Sequence, residues 1–167
     1  APPQDLDGRS VAGALRGEPI APRFAYGETE LWFTEEIASL APELRLPYPG
    51  VMGLTELDSR HNAEIVLRKD MAAPTLMARH RMVRDERYKL VYVPTRAGVR
   101  YFLFDTEKDP GEIRDVSAEL PGEVARLRTE LWSWMLKDPR MEQKDGFLVP
   151  RQVRPGGPGG PGGQGAR

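Results

Sequence analysis

The chain has 167 residues, 40% hydrophobic and 29% charged, which suits one globular domain rather than two. Its formal net charge of -1 removes any global electrostatic reason to expect nucleic acid or an anionic membrane as a partner. With no cysteine there is no disulfide, thiolate nucleophile or thiolate metal site, and no apolar run reaches the roughly 20 residues that cross a bilayer.

In chain order, Ser10 is placed to cap a short helix over residues 11–15 that Gly17 and Pro19 stop. Residues 23–30 alternate weakly and fit an edge strand. Residues 34–62 read as a long irregular insertion punctuated by Pro42, Pro47, Pro49, Gly50 and Gly53, with helical turns at 35–40 and 55–59, and residues 63–68 suggest a further strand. The stretch from Met77 to Val116 reads as three consecutive antiparallel strands closed by an acidic turn. Residues 75–84 supply the first and Tyr88 to Val93 the second, which Pro94 ends. A loop at 95–99 and a third strand at 100–104 follow, then a dense turn signal at 105–111. Alternation along these strands sets Val91, Val93, Tyr101 and Leu103 on one face, and Leu90, Tyr92, Phe102 and Phe104 on the other.

Beyond the strands, Pro121 suits a first helical turn, with Glu119 and Glu123 near the positive end of the helix dipole. Val124, Leu127, Leu131 and Trp134 then recur at helical spacing until Asp138-Pro139. The fold class is therefore α+β, a small antiparallel sheet of about four strands with a C-terminal helix packed on one face. One helix covers one face only, so the other apolar set needs a further partner. From Pro155 the chain repeats Pro-Gly-Gly three times, a flexible tail rather than a collagen segment. The organisation expected is 1–22 as the end of an upstream domain or a connector, 23–150 as the folded unit and 151–167 as the tail. The first residue is Ala1, with neither an initiator methionine nor a signal pattern, and an upstream part is expected.

Two segments carry a resemblance. Arg81-Met82-Val83-Arg84-Asp85-Glu86-Arg87-Tyr88-Lys89 and Leu103-Phe104-Asp105-Thr106-Glu107-Lys108-Asp109-Pro110-Gly111-Glu112 are similar to the C-terminal subdomain of the sulfatase family, where R-x-x-R-Y-K is followed by L-[FY]-D-x-x-x-D-P-x-E and a closing helix. Asp7-Gly8-Arg9-Ser10 resembles the D-G-x-S segment with which sulfatase catalytic domains finish, and the similarity runs from about Asp7 to about Lys137. Asp115-Val116 stands where the family commonly has asparagine and leucine. The resemblance implies a parent enzyme that hydrolyses sulfate esters of a small molecule or glycan, using a formylglycine and a divalent cation, usually calcium. It also implies an upstream alkaline-phosphatase-like catalytic domain as partner. No C/S-x-P/A-x-R sequence and no Asp-Asp pair occurs here, so no catalytic, cofactor-binding or metal residue is assigned to this chain. The same subdomain of a phosphoester or phosphonate hydrolase is an alternative, as is a free-standing module that holds an anionic polymer.

Several side chains invite chemistry beside a plainer reading. Asp105, Glu107, Asp109 and Glu112 would suit a hard cation, but Pro110 and the missing glycine at the sixth loop position spoil an EF-hand, and a strand-ending turn is expected. Arg79, His80, Arg81, Arg84, Arg87 and Lys89 could meet an oxyanion, since guanidinium groups match its geometry. The plainer reading is a solvated hairpin or pairing with those acids. His61 and His80 lack ligand-like neighbours. Trp32, Trp132 and Trp134 suit packing, and the loop 34–62, with Trp32 and Phe33 at its root, is the candidate active-site rim.

Overall fold

The computed structural model describes residues 10–20, 22–29 and 50–151. Trp32, Phe33, the turn at 35–40 and the tail from 152 lie outside the described residues. A first short helix, α1 (Ala12–Leu15), has Ser10 Oγ accepting from the Ala12 N–H at 3.2 Å, and Gly17 ends it at φ 80°. Strand β1 (Ala25–Glu28) follows. Helix α2 (Val51–Leu54) leads into β2 (Thr55–Asp58), which pairs antiparallel with β3 (Glu64–Leu67). The turn expected at 55–59 is thus a strand. Asp58 ends it by accepting from the Arg60 N–H, and Asn62 and Ala63 turn the chain at positive φ. Part of the expected irregular insertion is therefore an ordered ribbon, and β3 belongs to that ribbon rather than to the main sheet.

Residues 75–84 are not one strand. Helix α3 (Ala72–Ala78) precedes β4 (Arg81–Arg84). Ala72, Ala73, Leu76, Met77 and Ala78 are good helix formers, Pro74 lies in the first turn where its missing N–H costs nothing, and the Thr75 hydroxyl bonds the Met71 and Ala72 carbonyls. Strands β5 (Tyr88–Thr95) and β6 (Gly98–Asp105) form a long hairpin. Pro94 does not end β5. The side of β5 on which its nitrogen falls is that of β4, past the last paired residue Arg81, where no partner strand needs an N–H. Only Arg96 and Ala97 make the turn, which the Thr95 hydroxyl braces by donating to the Gly98 carbonyl at 2.7 Å.

The four-stranded antiparallel sheet has the order β1-β4-β5-β6. Helix α4 (Pro121–Met135) lies across one face, with Pro121 at its start and Glu123 in its first turn. Val83, Leu90 and Leu103 stand side by side in register beneath it, each fully buried, against Leu127 and Leu131. Each such side chain stabilises the fold by about 1.5 to 3 kcal/mol before entropy, an upper figure because the unfolded chain is already partly compact. Trp134 only half-buries, stacking on Tyr26 of β1 at 5.1 Å and 12°. A last hairpin, β7 (Met141–Lys144) and β8 (Phe147–Pro150), completes this side. Its Leu148 N–H donates to the Tyr92 hydroxyl at 3.1 Å.

The expected division of faces is corrected. The short turn pairs Leu90 with Leu103 and Tyr92 with Tyr101, which places all four under α4. Met82, Val91 and Phe102 stand in register on the opposite face, with Phe104, half-buried and outside the main cluster. A five-residue loop at 95–99 would shift the pairing by one residue, and a slip of one exchanges the faces of a strand.

Candidate functional site

The acidic turn is made by its own side chains. Asp105 takes both Arg87 Nε and Nη2, the latter at 2.8 Å, and also accepts from the Lys108 N–H. The hydrogen bonds from Arg87 hold its carboxyl below the usual range. Asp109 Oδ2 accepts from the N–H groups of Ile113 and Arg114 at 2.7 and 2.8 Å, and Glu112 pairs with Lys89. Asp115 Oδ1 accepts from Leu103 N–H and Ser117 N–H, which ties the turn back to β6. These oxygens are committed to arginine, lysine and backbone donors, so the residues present do not suit a calcium ion. Among the described residues, no group of three or more His, Asp or Glu lies together as a metal site.

The basic residues disperse. Arg81, on the α4 side of the sheet, is 3% exposed and donates to the Leu76 and Arg79 carbonyls, joining the end of α3 to β4. Arg79 and Arg81 share the carboxylate of Glu28 at 2.6 and 3.3 Å. Arg84 and Lys89 point to the opposite face and Arg87 is spent on Asp105. His80 lies part-buried between the two arginines, and loss of hydration pushes its pKa down to about 4. His61 pairs with Asp58 on the outlying ribbon. No common oxyanion seat results from the six.

What sequence reasoning missed is a cleft of about 590 Å³ beside β6, lined by Val99, Tyr101, Arg128, Trp132, Gln143 and Gly146, with Thr129. Trp132 Nε1 donates to the Tyr101 hydroxyl at 2.9 Å, and the Tyr92 ring meets both rings edge-on at 5.9 Å. Burial raises the Tyr101 pKa, so the phenol stays protonated at neutral pH. Arg128 sits 5.9 Å from the centre of the Tyr101 ring and has no acidic partner among the described residues, whereas Arg126 one face over pairs with Asp85 and Glu123. The signal that could have found this wall is Asp145-Gly146, a two-residue hairpin turn with both φ values positive, 52° and 83°.

No protein-family model matches the chain, and no curated protein matches it. Among solved structures it is similar to the phosphonate monoester hydrolase of Agrobacterium radiobacter, at TM-score 0.42 and 21% identity, over 89% of this chain and 25% of that one. The chain thus spans about a quarter of that hydrolase. A likeness at this level assigns no activity.

Proposed function

We propose that this chain is the C-terminal portion of a sulfatase-like hydrolase that cleaves sulfate esters, completing the fold of an upstream alkaline-phosphatase-like catalytic domain and, through residues 34–62, its active-site rim. The observation that carries the reading is the meeting of the two motif segments. Tyr88 pairs with Asp105 in the sheet, and Arg87 and Asp105 clasp the open end of the hairpin just before the turn that leads to the closing helix. Residues held in common with the family motif thereby have structural work that does not require a substrate. An outlying ribbon whose Leu57 and Ile65 are 67% and 73% exposed, facing each other across β2 and β3, adds to this support. Such a surface suits a further domain, since a lone two-stranded ribbon is marginal in water.

In the parent enzyme the formylglycine would supply the nucleophile and the calcium would stabilise the sulfate charge, both from the upstream domain. Expressed together with the coding sequence that precedes Ala1, the protein should turn over an aryl sulfate in the presence of calcium, while residues 1–167 alone should not. Turnover by the isolated chain that survives repurification, or an upstream sequence with no formylglycine motif, would overturn the reading. A preference for a phenylphosphonate monoester over the aryl sulfate would move the parent to the phosphonate hydrolases instead. The free-standing polyanion module is disfavoured because the basic side chains of the hairpin do not converge and Arg79, Arg81, Arg87 and Lys89 are paired with acids; its sign would be heparin binding that falls steeply with salt.

A further inference from the structure

Strand β6 is an outer strand of the sheet. Thr106 N–H donates to the Arg87 carbonyl across the hairpin, so every second residue from Thr106 back to Gly98 faces β5, and Leu103, Tyr101 and Val99 turn their N–H and C=O groups outward. The chain closes this edge at Leu103, where Asp115 Oδ1 takes the N–H at 3.0 Å and Val116 N–H takes the carbonyl at 2.8 Å. It goes no further. At Tyr101 and Val99, no backbone or side-chain group among the described residues bonds the outward pair. Folded proteins cover, charge or bulge such edges because a bare one recruits another strand.

Both residues line the cleft under Arg128, and among the described lining residues that guanidinium is the only formal charge. An incoming strand would therefore find alternating backbone donors and acceptors along one side, a wall of Tyr101 and Trp132, and, within the same cleft, a cation with no acidic partner among the described residues. We propose that the open edge of β6 at Val99 and Tyr101 is the docking site for an extended peptide segment of another protein, with a carboxylate side chain of that segment held by Arg128. Strand addition gives such a peptide its affinity through main-chain bonds, and the side-chain cleft gives it selectivity. Charge complementarity decides the occupant: a neutral strand would leave Arg128 unused, and a basic one would be repelled.

The test titrates acetyl-Thr-Val-Glu-Val-Thr-amide into the full, uniformly nitrogen-15-labelled chain. Saturable shifts of the Val99 and Tyr101 amides and of the Trp132 indole are expected, with slower hydrogen exchange at both amides. The counterpart peptide with glutamine for glutamate, and the exposed-site variant Arg128→Gln, should each weaken binding about 10-fold, the size of a charge-assisted hydrogen bond. Val99→Pro removes one outward donor without touching the pairing to β5 and should weaken it as well. Absence of shifts at these amides, equal binding of the two peptides, or shifts confined elsewhere would overturn the proposal. So would a concentration-dependent dimer that protects the same amides before any peptide is added, because the occupant would then be a second copy.

Discussion

The α4-covered face of the main sheet and the β2–β3 ribbon are built from similar apolar residues at similar strand spacing, yet one is a core and the other a surface. Val83, Leu90 and Leu103 are fully buried in register, while Leu57 and Ile65, also in register, stay largely exposed. What differs is the second layer. Leu127, Leu131 and Met135 arrive on α4 over the three strands that carry Val83, Leu90 and Leu103, and nothing comparable is described over the ribbon. A cross-strand apolar pair is thus a demand for cover rather than proof of it.

The sharpest way to break that contrast is a matched truncation. Leu103→Ala should cost about 2 to 5 kcal/mol, because it removes buried methyl groups and leaves a cavity between β6 and α4 that the packed rings cannot fill. Urea unfolding measures it, and a loss below about 1 kcal/mol would mean that the helix does not seal this face. Next in size is Tyr92→Phe, which deletes the hydroxyl that accepts from Leu148 N–H in a buried position. An orphaned buried donor costs about 1 to 3 kcal/mol, and the β7–β8 hairpin should show the faster amide exchange.

A third test uses pH. The folded-state pKa of His80 lies at about 4, below the ordinary 6.5, so below pH 6.5 the unfolded chain takes up the proton first. This contribution is complete above about pH 6.5 and is lost as the pH falls toward 4, a decline of about 1 to 2 kcal/mol after allowance for the ring's partial hydration. His80→Gln should flatten the stability profile in that window; an unchanged slope would show that the imidazole is better solvated. The smallest effect belongs to the ribbon. Ile65→Ala should change the stability of the chain by no more than about 0.5 kcal/mol, and a clearly larger loss when the proposed upstream domain is attached would identify the ribbon as a domain contact.

Legibility in the sequence followed the range of the interactions. The β5 strand, the acidic turn and α4 were readable because their signals are local: β-branched and aromatic runs, Asp-Pro-Gly turn chemistry, a 3.6-residue stripe. The division of sheet faces was not, because it depends on whether the turn holds two residues or five, and Pro94 disguised the last residues of β5. Residues 75–78, the second half of α3, were absorbed into a strand although leucine, methionine and alanine favour helix. Of the ribbon, residues 63–68 were read as a strand, but β2 was missed for the opposite reason, since Thr55 to Asp58 has little strand propensity and is extended by pairing with β3. At the candidate sites, ion pairs such as Arg87 with Asp105 were foreseeable as charge matching, whereas the Tyr101–Trp132–Arg128 cleft joins strand, helix and a hairpin far apart in the chain.

The two-residue turn at Arg96 and Ala97 also sets an order of assembly. Strands β5 and β6 close over almost no intervening chain, and a hairpin of that kind forms in about 1 to 10 μs. Joining β1 to β4 instead requires Gly27 to find Met82, closing a far longer loop whose entropy must be met before the contacts repay it. The β5–β6 hairpin should therefore be formed in the transition state while β1 is still free. Substitutions in Leu90 or Leu103 would slow refolding, and those at Tyr26 would chiefly speed unfolding.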